Sequence, residues 1–147
     1  MNLASNLVHS AQAHPNRVAL RLGEAKTTYR ELDEDSARVA GLLRDRGMRP
    51  GDRVGIMLPN VPAFAVLYYG VLRAGGVVVP MNPLLKAREV AYYVSDSGAR
   101  PIFVWHGFVE EAQAGAKQAE AEAIVVDPAT FGQVVIRGID ESVEPAR

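Results

Sequence analysis

"FAVLYYGVLRAGGVVVPMNP", residues 64–83, decides between a membrane span, a phosphate loop and a buried helix, turn and strand. The apolar run around it, Val61 to Met81, is long enough for a span, but Pro62, Arg73, Gly75, Gly76 and Pro80 interrupt it. One uninterrupted spanning helix is therefore not expected. Phe64, Leu67, Tyr68, Val71 and Leu72 recur at helical spacing, which predicts a helix from about Pro62 to Ala74 with that stripe buried. Val66 and Tyr69 lie off the stripe, so the helix should be covered on more than one side. Gly75-Gly76 reads as the stop of that helix, and "VVVPM" as a short strand of the kind buried in a parallel sheet. A phosphate loop needs several small residues followed by a lysine or a helix start; here Val-Val-Val follows, and the next lysine is Lys86.

Upstream, "VALRLGEAKTTY" places two short strands, Val18 to Leu22 and Ala25 to Thr28, around Gly23-Glu24, a β-hairpin pattern. Thr28 and Glu31 form a capping box that opens a helix, in which Leu32, Val39, Ala40 and Leu43 make the apolar stripe and Gly47 the stop. The acidic run Glu31, Asp33, Glu34 and Asp35 suits the positive end of the helix dipole and reads as a solvated start. Pro50-Gly51 predicts a type II turn feeding a strand from Arg53 to Leu58, closed by Pro59.

Downstream, "LKAREVAYYVSDSGA" predicts a helix ending at Gly98, "PIFVW" a strand, "GFVEEAQAGAKQAEA" a helix and "AIVV" a strand. Strand and helix alternate from residue 28 to residue 126, the pattern of an α/β layer with a mainly parallel sheet and right-handed connections, preceded by the small hairpin. Residues 1–127 are read as one folded unit and 128–147 as a linker-like tail, in which Val134 to Ile136 could add a strand.

Sixteen basic and seventeen acidic residues give a net charge of -1, so no general field draws in nucleic acid or a membrane surface. The absence of cysteine excludes disulfides, thiolate metal sites and a cysteine nucleophile, and suits a cytoplasmic setting. The first seventeen residues lack the basic and apolar regions of a secretory signal.

Residue chemistry offers no site. His9, His14 and His106 are scattered, without a second ligand at metal spacing, and read as surface or locally bonded histidines. Ser36, Ser95 and Ser97 have no nucleophile-elbow setting, and "SDSG" at 95–98 reads as the polar end of a helix. The pairs Tyr68-Tyr69 and Tyr92-Tyr93 read as tyrosines bridging core and solvent. No catalytic, cofactor-binding or metal-binding residue is assigned. A receiver-like nucleotide binder would need an acidic pair after its first strand; Pro59-Asn60 stands there instead, leaving fold analogy as that reading's only support.

"TTYREL" (27–32), "LLRDRGMRPGDRVGIMLPN" (42–60), "FAVLYYGVLRAGGVVVPMNP" (64–83) and "REVAYYVSDSGARPIFV" (88–104), in this order and spacing, resemble the N-terminal part of the adenylate-forming enzymes. The nearest likeness is to acyl-CoA synthetases, long-chain or medium-chain fatty acid CoA ligases, over about residues 3–127. The resemblance implies the N-terminal subdomain of the acyl-CoA synthetase-like fold. It also implies, for the parent enzyme, ATP, Mg²⁺, CoA and a carboxylic acid substrate that passes through an acyl-adenylate. Its motifs "TYREL" and "LRAGGVVVP" are structural in the family. The family's Ser/Thr/Gly-rich phosphate loop ending in Pro-Lys-Gly has no counterpart in the 147 residues, nor do its adenine, ribose, hinge and C-terminal lysine positions. No functional residue is therefore carried over. The chain is expected to be an inactive N-terminal fragment of a fatty acid CoA ligase. The alternative is a stand-alone non-catalytic module acting in protein association or acyl-chain binding, self-associating through exposed apolar faces of the Val61 to Met81 region.

Overall fold

Every strand and helix expected between residues 18 and 126 is present in the computed structural model, which describes residues 2–131. The possible strand at Val134 to Ile136, and all but the first four residues of the expected tail, lie outside the described residues. The hairpin pairs β1 (Val18–Leu22) with β2 (Ala25–Thr28) antiparallel. Thr28 then caps α2 (Tyr29–Asp45): its hydroxyl accepts from the Glu31 N–H at 3.2 Å, and the Glu31 carboxylate accepts from the Thr28 N–H at 3.1 Å. One further helix, α1 (Ala4–Ala13), was not read from the sequence; it buries Ala4, Leu7 and Ala11.

The sheet holds β3 (Arg53–Met57), β4 (Val77–Pro80), β5 (Ile102–Trp105) and β6 (Ala123–Val126), all parallel, in the order β4-β3-β5-β6. Between them run α3 (Pro62–Arg73), α4 (Ala87–Ser97) and α5 (Val109–Gln118), the last entered through a 3-10 turn at His106–Phe108. Strand alternation sorts the core into two faces. Val54, Ile56, Phe103, Ile124 and Val126 pack under α1, α2 and α3. Met57, Ile102 and Val104 pack under α4 and α5 with Val90, Val94, Ala112 and Ala116. Full burial of side chains such as Leu43, Leu67 and Phe103 contributes about 1.5–3 kcal/mol each.

The helix ends obey the glycine signals. Gly47 and Gly75 take φ of +89° and +84°. At the second, Gly75 N–H donates to the Leu72 carbonyl and Gly76 N–H to the Val71 carbonyl, a Schellman ending. Gly51 at φ +90° and the Asp52 N–H to Arg49 carbonyl bond at 3.0 Å make the expected turn before β3. The end of α5 is the exception: Glu120 occupies the left-handed position at φ +57° in the same hydrogen-bond pattern.

Three expectations are corrected. The buried stripe of α3 is Ala63, Val66, Leu67, Gly70 and Val71, while Phe64, Tyr68 and Leu72 are half-buried. Small residues set this rotation, because Gly70 lets α3 seat directly on Val39 of α2, where a Cβ would collide with the valine. Secondly, β4 is in the parallel sheet but is not buried as expected: among the described residues it is an edge strand, with Val77 and Pro80 exposed. Its Val77 N–H donates to the Asp52 carbonyl and its Met81 N–H to the Ile56 carbonyl, so by alternation Val78 and Pro80 are the residues directed away from β3. Thirdly, the acidic start of α2 is not fully solvated: Asp33 pairs with the Arg73 guanidinium, with side-chain exposures of 16% and 7%.

Candidate functional site

The chain runs from β3 out to β4, then crosses back to lay β5 on the other side of β3. Open α/β sheets place ligands outside the carboxyl ends of their strands at such a reversal. At that end the β4–α4 and β5–α5 connections enclose a cleft of about 500 Å³, lined by Leu84, Lys86, His106, Phe108, Glu110 and Glu111 among others. A smaller groove of about 220 Å³ lies between the β1–β2 hairpin, at Leu20 to Leu22, and the start of α3 at Asn60 to Ala65.

The sheet register builds one polar pair at the cleft's edge. Trp105 pairs with Val126, so the residues that follow, His106 and Asp127, meet beyond the ends of neighbouring strands. His106 Nδ1 lies 4.0 Å from Asp127 Oδ2, both side chains 42% exposed, and the imidazole packs edge-on against Trp105 at 4.7 Å. Asp127 also holds its own turn: its carboxylate accepts from the Ala129 N–H at 2.9 Å and its carbonyl from the Thr130 and Phe131 N–H groups. The histidine is thus locally associated, as expected; the aspartate partner was missed because the two residues are far apart in sequence. The detectable signal was that each immediately follows a strand.

Two acidic groups near the cleft are used structurally. Glu111 Oε2 accepts from the Ala87 N–H at 2.7 Å, capping α4 from α5, and Glu89 Oε1 accepts from the Lys86 N–H at 3.2 Å. Around them stand the Lys86 and Glu110 side chains and apolar surface from Leu84, Phe108 and Val109. Among the described residues no group of three or more His, Asp or Glu could hold a metal ion.

Elsewhere, His9 and His14 are exposed on α1 and at its end. Ser36 is fully buried, its hydroxyl donating to the Asp33 carbonyl at 3.0 Å. The Ser97 hydroxyl donates to the Tyr93 carbonyl at 2.6 Å, the polar helix end that was expected. Tyr68 and Tyr69 bridge core and surface, but Tyr92 and Tyr93 are exposed and do not. Burial pushes the Asp35 carboxyl up to about 6 from 3.8; the Arg38 guanidinium pulls it down, while Glu31 and Glu34 push it up further. A perturbed carboxyl can mark a functional site. Here the charged groups that shift it, Arg38, Glu31 and Glu34, all belong to α2.

Among the described residues the nucleotide and Mg²⁺ implied by the resemblance find no fitting donor set. The one glycine pair has both N–H groups occupied by the end of α3, and the described residues lack a metal cluster.

Residues 7–144 match the family model described as "AMP-binding enzyme". The chain belongs to that family. A long-chain-fatty-acid–CoA ligase of Bacillus subtilis is 40% identical over 95 residues, 65% of this chain and 17% of that protein. A 3-hydroxybenzoate–CoA/4-hydroxybenzoate–CoA ligase of Thauera aromatica is 34% identical over 148 residues, 99% of this chain and 26% of its own length. The benzoate CoA ligase of Burkholderia xenovorans LB400 superposes with a TM-score of 0.87 at 27% identity, over 99% of this chain and 29% of that one. The chain thus spans about a sixth to a quarter of the length of the curated CoA ligases it matches. In this AMP-binding family its α/β fold corresponds to the N-terminal subdomain of acyl-CoA synthetase-like structures.

Proposed function

We propose that this chain is the N-terminal scaffold of a cytoplasmic fatty acid CoA ligase. The parent enzyme would convert a carboxylate, ATP and CoA to acyl-CoA, AMP and pyrophosphate, while residues 1–147 alone do not turn over. One observation carries this reading: 99% of the chain superposes on only 29% of a CoA ligase. The lack of any Pro-Lys-Gly segment in the sequence supports it. A fatty acid is favoured as substrate by the 40% identity to the Bacillus subtilis ligase. A cytoplasmic setting is supported by the cysteine-free composition. ATP–pyrophosphate exchange over a panel of fatty and aryl acids tests the reading. The chain alone should be silent, and the chain joined to its downstream coding sequence should respond best to fatty acids. Robust exchange by residues 1–147 alone would sink the proposal.

The second reading, a non-catalytic association module, is favoured by the exposure of Leu84, Tyr92 and Tyr93. The apolar surface that supports it lies on and beside α4 rather than on α3, whose Phe64, Tyr68 and Tyr69 pack against the core. Coding sequence downstream of Arg147 discriminates the two. A Ser/Thr/Gly-rich loop ending in Pro-Lys-Gly supports the ligase, and a stop codon without one supports the module.

A further inference from the structure

We infer that the outer face of α4 is a self-complementary surface through which two copies of this chain associate, helix against antiparallel helix. The inference stands apart from the ligase reading. The helix buries Val90 and Val94 inward and turns Tyr92, 64% exposed, and Tyr93, 46% exposed, to the outside. The two rings meet edge to face, 5.6 Å apart at 73°, so one braces the other. With Lys86, Arg88 and Glu89 they line a shallow groove of about 520 Å³, large enough to receive an aromatic side chain.

The charge order along the helix selects the occupant. Arg88, Tyr92 and Asp96 follow one another at four-residue spacing and form one ridge, about 12 Å from first to last with the tyrosine midway. Read forward the ridge is cation, aromatic, anion. A second copy related by a two-fold axis beside Tyr92 presents the reverse order, so Arg88 faces the partner's Asp96 and the two Tyr92 rings meet at the axis. That is the requirement of an isologous contact.

The placement also opposes the helix's own electrostatics. Asp96 in a last turn that holds no basic residue is unfavourable to the macrodipole, as is Arg88 in the first turn, where Glu89 offsets it in part. Among the described residues neither Arg88 nor Asp96 has an ion-pair partner that would offset this. Local preference reversed at two exposed positions of one ridge points to an interaction outside the chain. Tyrosine and arginine are moreover the residue types that anchor interfaces. A single helix pair buries little area, so the association is weak and reversible.

Sedimentation equilibrium of the 147-residue chain tests this with three variants: Tyr92→Ser, Arg88→Asp, and the exchange Arg88→Asp with Asp96→Arg. The wild type should show a reversible monomer–dimer equilibrium. Arg88→Asp sets Asp against Asp and should weaken the dimer about tenfold or more, while the exchange should restore it to within about threefold. Tyr92→Ser should abolish it. All three substitutions are at exposed positions, and the exchange also suits the helix dipole; circular dichroism checks that the fold is kept. A monomer at millimolar concentration, a dimer indifferent to Arg88→Asp, failure of the exchange to rescue, or irreversible aggregation in place of a dimer would each overturn the proposal.

Discussion

The two faces of the sheet solve the same packing problem with different materials. Under α1, α2 and α3 the core is made of volume: Leu32, Leu42, Leu43, Val39, Leu67 and Phe103, with the ion pair of Arg73 and Asp33 beside it. Under α4 and α5 it is made of proximity. Ala99, Ala112, Ala116 and Ala119 supply much of that face, and glycines let backbones close the remaining distance. A Cβ at Gly55 would stand 2.6 Å from the Ile102 side chain, and one at Gly115 would stand 2.5 Å from the Val90 Cβ and 2.6 Å from the Ala87 carbonyl oxygen. A face filled by large side chains can yield by rotamer change, whereas one closed by backbone contact cannot.

Removing a charge breaks the first face most severely. Arg73→Met removes the guanidinium that pairs with a poorly exposed carboxylate and should cost up to about 3–5 kcal/mol in urea unfolding; adding Asp33→Leu should recover much of the loss. A recovered double variant would show that the pair fixes the geometry of α2 on α3 more than it stabilises the fold.

Adding a methyl group compares the faces directly. Gly115→Ala, blocked by the Val90 Cβ and by the Ala87 carbonyl oxygen, should cost about 2–3 kcal/mol, and Gly70→Ala, blocked first by the Val39 side chain, about 1–2. Gly70→Ala combined with Val39→Ala should cost less than the sum of the two. Equal costs at Gly70 and Gly115 would erase the distinction between volume and proximity.

Titration gives a smaller effect confined to the first face. Because burial raises the folded Asp35 pKa from 3.8 to about 6, the folded state binds more protons than the unfolded state across that window. Stability should therefore fall as pH rises from about 4 to about 6, and the penalty should persist above it. Asp35→Asn should flatten this part of the stability–pH profile and gain about 1–2 kcal/mol at neutral pH. No gain at pH 7 would show that Arg38 already compensates the charge.

The smallest change lies at the end of α5. Glu120→Gly removes a side chain from the left-handed position at φ +57° and should raise stability by about 0.5–1 kcal/mol, read as a modest rise in Tm.

What the sequence disclosed follows from which forces are local. The hairpin, the capping box and the stops at Gly47, Gly75 and Gly98 depend on neighbours within a few residues, and each lies where the pattern placed it. The face of α3 did not, because Ala63 and Gly70 carry no hydrophobic signal and their value appears only when Val39 arrives from another helix. The edge position of β4 was equally hidden: "VVVP" reads the same at a sheet's centre or its border, and strand order is a property of the assembled sheet. At the candidate cleft, the residues were visible but their company was not. His106 and Asp127 become neighbours only through the pairing of β5 with β6. α1 was passed over because its short stripe of Ala4, Leu7 and Ala11 is small and sparsely apolar.

Pro80 looks outward from the border of the sheet, where a proline has no N–H to give. Of the two outward-facing positions on β4, only Val78 can donate. An approaching strand would find acceptors there but almost no donors, and so could not zip along it. Among the described residues β6 stands at the opposite border, and it contains no proline. Among the described residues the sheet therefore has a direction of growth: a strand that extends it finds donors more readily beside β6 than beside β4, whose proline resists the stacking that seeds aggregates.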